Sequence, residues 1–167
     1  MTDLQLIAGP DAAALADQVW PCYDAVFGDF DDYEVWRSDL FERHAGREGF
    51  RLAVAFDVGA VVGFSWGYVG QRGQYWSDLA YEALPADVAG EWIGGHFELV
   101  ELAVAPSSRG TGLGRALHDC VLDGVARRCL LSTSDDEKDP AVRLYVRSGW
   151  HRLGVLRPGV QVMGRQP

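Results

Sequence analysis

The sequence predicts an α/β fold, a mixed sheet with helices on both faces. Three observations lead there. Short apolar runs bounded by turn residues are interspersed with stretches of helical periodicity along the 167-residue chain. Two of the runs, 50 to 56 and 60 to 70, are joined by "DVG", which reads as a β-hairpin. From Phe97 onward, strand, helix, strand and helix patterns follow one another without a break. No repeat, low-complexity tract or linker interrupts the chain, and its length suits one domain over 1–167 with one core.

"LQLIAG" (4 to 9) reads as a first strand. Residues 11 to 27 and 32 to 46 read as amphipathic helices, the first kinked or split at Pro21. The hairpin strands follow. The segment 70 to 96 mixes turn residues with short helical signals and carries Tyr75, Trp76, Tyr81 and Trp92; a long connection of this kind is often functional. "FELVELAV" (97 to 104) is a strand. Residues 113 to 128 read as a helix, with Leu113, Leu117, Val121 and Val125 at four-residue spacing. "CLLSTS" (129 to 134) is the next strand. Asp139 caps a helix opened by Pro140 and closed by Gly149, and strands at 150 to 156 and 160 to 164 complete the chain.

Composition excludes several classes. The net charge is −9, which opposes a general nucleic-acid binder and suits a cationic partner such as a small amine, although acidic surfaces also serve solubility alone. No apolar run reaches a membrane-spanning length and no secretory leader pattern opens the chain, so a cytoplasmic location is expected. Cys22, Cys120 and Cys129 form no C-x-x-C pair, and His44, His96, His118 and His151 lack ligand spacing, so no metal site is expected. His96 stands out among the histidines because it adjoins the strand at 97 to 104.

The densest chemical signal is "VAPSSRGTGLGRALHD" (104 to 119). A Rossmann G-x-G-x-x-G fails in both registers, because the last position is Arg115 or Leu117; a Walker A loop fails for want of any Gly-Lys pair. What remains is Arg109-x-x-Gly112-x-Gly114 between a strand and the first turn of a helix. Amides converge there with the positive end of the helix dipole, the glycines keep side chains away, and Arg109 and Arg115 add charged donors. A pyrophosphate fits; so does a tight connection without a ligand.

"LAVAPSSRGTGLGRAL" resembles the acyl-CoA-binding motif of the GNAT superfamily of N-acetyltransferases, and "DPAVRLYVRSGWHRLG" (139 to 154) resembles its later motif. The two cover about 60 residues, in the family's order and separation. The resemblance implies a largely antiparallel sheet splayed between the strands at 97 to 104 and 129 to 134. The pantetheine arm of acetyl-CoA would run along Leu102, Ala103 and Val104, with the pyrophosphate on the amides of Arg109, Gly110, Thr111, Gly112, Leu113, Gly114 and Arg115. Asp139 stands where many members carry an Asn that contacts pantetheine, which puts that contact in doubt. Trp150 replaces the usual Phe after Gly149.

The implied reaction is direct attack of an amine on the thioester in a ternary complex, with no enzyme nucleophile. Glu101 is the first candidate for the base and Glu98 the second; alternation sets them on opposite faces unless a bulge intervenes, and both also fit as acids at a solvated edge. Tyr145 matches the family's tyrosine that protonates the departing thiolate, and fits equally as a core residue of a short helix. The expected acceptor is a primary amine of a small molecule, held near aromatic residues among Tyr33, Trp36, Trp66, Tyr68, Tyr75, Trp76 and Trp92, at least half of which are core. Alternatives are a protein amine and a non-catalytic acyl-CoA sensor. A homodimer is compatible with the resemblance.

Overall fold

A computed structural model describes all 167 residues, Met1–Pro167. Seven strands form one mixed sheet: β1 (Asp3–Ala8), β2 (Arg51–Asp57), β3 (Ala60–Gly70), β4 (His96–Val104), β5 (Cys129–Ser134), β6 (His151–Arg157) and β7 (Val160–Arg165), in the order β1-β2-β3-β4-β5-β7-β6. The recorded ladders β1/β2, β2/β3, β5/β7 and β6/β7 are antiparallel and β4/β5 is parallel. That parallel ladder holds only Phe97↔Cys129 and Glu98↔Leu130. No helix is long and apolar enough to cross a membrane.

The chain divides into two compact units, each built from two segments. The first joins Met1–Tyr68 to Val100–Asp123. Its helices are α1 (Ala16–Val26), α2 (Tyr33–Trp36), α3 (Glu42–Ala45) and α6 (Leu113–Leu122). The expected helix at 11 to 27 starts as a 3-10 turn, Pro10–Leu15, and Pro21 sits inside α1. Between α2 and α3 the backbone takes a π turn over Arg37–Phe41. The wider turn brings residues five apart onto one side. Trp36 and Phe41 are thereby both fully buried, their rings stacked 4.9 Å apart. Phe64, Trp66, Leu52 and Val54 form the sheet side of this core.

On the opposite face of β3, α6 packs at Gly63, where an added Cβ would lie 2.8 Å from Leu117 Cδ1 and 3.0 Å from the Ala103 carbonyl oxygen. Helices therefore cover both faces within this unit, as expected. α6 ends at Leu122 rather than running to 128. Asp123 leaves the helical region at ψ 123° and Gly124 turns left-handed at φ 72°, so the apolar spacing extends past the point where the backbone stops.

The second unit joins Val69–Leu99 to Gly124–Pro167. The segment that reads ambiguously in sequence forms α4 (Tyr75–Ala83) and α5 (Ala86–Trp92), which bury Ala80, Leu84, Ala89 and Trp92 with Leu156 and Val162. α7 (Pro140–Arg147) begins as expected: Asp139 Oδ1 accepts from the Ala141 amide at 2.8 Å, a cap worth about 1 kcal/mol. Gly149, at φ 88°, closes it.

Candidate active site

In the first unit, β4 leads into the glycine loop and then into α6. The loop is shaped by local bonds: the Ala105 amide donates to Val62 O at 2.8 Å, Pro106–Ser108 forms a 3-10 turn, and Thr111 Oγ1 donates to Ser108 O at 2.7 Å. Gly110 and Gly112 hold φ of 74° and 84°, which side-chain-bearing residues rarely adopt. A Cβ added at either would meet nothing within 4 Å. The space above the loop is open, so the amides of the first turn of α6 present an approachable anion cradle. Gly114 differs, because a Cβ there would only touch Val104 Cγ2 at 3.7 Å.

Both arginines of the motif are partly engaged. Arg109 Nε donates to Val104 O at 3.1 Å, and Arg115 Nε pairs with Asp119 at 3.0 Å one turn along α6. His118 is fully buried with Nδ1 2.8 Å from Asp119 Oδ1, which makes it a packing residue.

Glu101 stands one residue before Leu102–Val104 and is half-buried. Its carboxyl pKa is pushed up to about 8, first by burial and then by the negative charge of Asp29. Asp29 also accepts from the Tyr23 hydroxyl at 3.3 Å, and Tyr23, in the core, is driven well above the usual phenol range by burial, then by Glu101 and Asp29. Sequence reasoning misses Asp29 and Tyr23. The run "GDFDD" (28 to 32) shows an acidic loop but not which acid meets the strand.

The structure brings Glu101, Leu102, Ala103 and Val104 together with the loop from Arg109 to Arg115 in one unit; Glu98, Asp139 and Tyr145 belong to the other. Glu98 is buried. The Asp139 carboxylate is spent at least in part on capping α7. Tyr145 is buried beside Trp150, ring edge against face at 6.0 Å.

Of the aromatics expected around the acceptor, Trp36, Trp66, Tyr68 and Trp92 are buried in the cores, while Tyr75 is exposed. The Trp66 indole donates to His44 Nδ1 at 3.2 Å, and burial, then Arg47 and Arg43, lower the His44 pKa to about 3. His44 is a neutral acceptor inside the core. His96 is similar: Nδ1 accepts from the Gly94 amide at 3.0 Å, burial lowers its pKa to about 4, and its ring fills the space a side chain at Gly70 would need.

A mixed sheet whose central strand runs through a glycine turn into an open helix start is the architecture that the GNAT resemblance implies. Comparisons with known proteins agree. The model of the acetyltransferase (GNAT) family matches residues 12–150. A GCN5-like protein acetyltransferase of Mycobacterium tuberculosis is 29% identical, over 70% of this chain and 71% of that protein. Among solved structures, aminoglycoside 6'-acetyltransferase type Ii superposes with a TM-score of 0.66 at 20% identity, covering 98% of this chain and 96% of its own. The PaiA N-acetyltransferase of Thermoplasma acidophilum, solved in complex with coenzyme A, gives 0.58 at 11%, covering 100% and 99%. The chain belongs to the GNAT family. It is an acyl-CoA-dependent acetyltransferase.

Proposed function

We propose that the protein transfers the acetyl group of acetyl-CoA to the primary amine of a small molecule, by direct attack within a ternary complex. The features that support this reading lie in one stretch: Glu101 with its carboxyl pKa raised to about 8, the strand end at Leu102–Val104, and the open space at Gly110 and Gly112 in the loop from Arg109 to Arg115. The backbone of Leu102, Ala103 and Val104 lies along the pantetheine arm, and one of its amides donates to the carbonyl oxygen as charge develops there. The amides of Gly110, Thr111, Gly112, Leu113 and Gly114, with Arg109 and Arg115, hold the pyrophosphate.

Glu101 takes the proton that the ammonium must lose. Its raised pKa brings it nearer to an amine, so the transfer costs less than it would to an ordinary carboxylate. The freed nitrogen bonds to the acetyl carbon as the carbon–sulfur bond breaks, and Tyr145 protonates the departing thiolate. Glu98 is the alternative base. Asp139 orders α7 and adds little to pantetheine binding.

The resemblance to a protein acetyltransferase at 29% identity favours a second reading, in which the acceptor amine belongs to a protein. Thiol release from acetyl-CoA, measured against aminoglycosides, polyamines, amino acids and lysine peptides, separates the two. Turnover concentrated on small amines supports the proposal; turnover on peptides alone overturns it.

A further inference from the structure

At the start of β4, in the second unit, an open cavity of about 380 Å³ has Trp92, Gly95, His96, Arg127, Arg128 and the last residue, Pro167, among its lining residues, and no aspartate or glutamate side chain. Of the 15 lysines and arginines in this chain, Arg37, Arg72 and Arg115 form ion pairs with carboxylates. Arg127 and Arg128 pair with none. Each spends one guanidinium nitrogen on a backbone carbonyl instead, Arg127 on Gly95 O at 2.9 Å and Arg128 on Glu91 O. Most of the five N–H donors of each fork stay available.

The wall beside them is fixed. Gly94 and Gly95 turn at φ 104° and 72°, their amides taken by His96 Nδ1 and by Gly70 O at 2.8 Å. The Arg128 carbonyl accepts from the Phe97 amide at 2.8 Å, which ties the arginine segment to β4. The Arg128 guanidinium lies 5.9 Å from the centroid of the Trp92 ring. His96, kept neutral by burial, contributes no charge.

We propose that this cavity binds a small phosphate-bearing anion through the guanidinium groups of Arg127 and Arg128. One carboxylate saturates a single guanidinium fork, whereas the oxygens of a phosphate group accept from two. The volume suits a small metabolite rather than a protein surface. None of the cavity's lining residues belongs to the loop from Arg109 to Arg115 that the proposed function assigns to acetyl-CoA.

Inorganic pyrophosphate is the probe. In an Arg109→Gln/Arg115→Gln background, which weakens binding at the cradle, titration calorimetry should still record pyrophosphate binding. Adding Arg127→Gln and Arg128→Gln should weaken it by about tenfold or more. Circular dichroism and Tm check that each variant folds, and wild-type protein saturated with coenzyme A serves as a second background. Absence of binding in both backgrounds, or binding that survives loss of Arg127 and Arg128, overturns the inference whether or not the acetyltransferase reading stands.

Discussion

Glu101, the base in the proposed reaction, holds a carboxyl whose ionisation works against stability. Its folded pKa of about 8 lies above the ordinary 4.5, so the folded state holds this proton more tightly than the unfolded chain does. Stability from this group is complete below about 4.5 and falls as pH rises towards 8. Glu101→Gln should therefore lower turnover sharply, and should raise Tm relative to wild type at pH 8 and above while leaving it nearly unchanged at acidic pH; a variant less stable throughout would mark a structural carboxylate. The acidic limb of kcat/KM for the wild type should lie near pH 8, and Asp29→Asn should move it to lower pH by removing the neighbouring charge. Tyr145→Phe should reduce kcat much more than acetyl-CoA affinity, and equal losses in both would refute its role as the acid.

Elements were legible where pattern and backbone agree. The hairpin, β4, β5 and the capped start of α7 fall within a residue or two of the sequence reading. The far end of α6 does not, because Val125 keeps the apolar spacing while Gly124 has already turned the chain. The π turn over Arg37–Phe41 was equally hidden, since an i to i+5 match of Trp36 and Phe41 looks like noise against a 3.6-residue period. In the proposed donor site the element to test is the first turn of α6. Gly112→Val forces a β-branched residue into the left-handed region at its N-cap, which should cost about 1–2 kcal/mol by urea denaturation. Coenzyme A binding should fall below detection while circular dichroism stays native. Retained affinity would show that the amides of this turn do not hold the pyrophosphate.

Across the whole chain, the order of strand, glycine loop and helix start was readable because these elements are contiguous. The surroundings of Glu101 were not, since Asp29 and Tyr23 reach it only through the fold, from over 70 residues away. Each compact unit draws on two separate stretches of chain, and β3 and β4 both run across the boundary, at Tyr68/Val69 and Leu99/Val100. Neither unit can be completed by an uninterrupted piece of sequence. We expect one unfolding transition in urea, coincident by fluorescence and far-UV circular dichroism; two separated transitions would assign independent stability to the units.

The seat of α6 on Gly63 reverses the ranking that motif inspection gives to the glycines. Gly114 belongs to the family signature, yet a methyl there only grazes Val104, whereas one at Gly63 would lie 2.8 Å from the end of the Leu117 side chain and 3.0 Å from the Ala103 carbonyl oxygen, so the helix or its side chain must shift. In a saturation library selected for folded protein, Gly63→Ala should be depleted, at a cost of about 1–3 kcal/mol, and Gly114→Ala retained. Packing in this chain is thus constrained at Gly63, about fifty positions upstream of the signature, where no motif marks the residue.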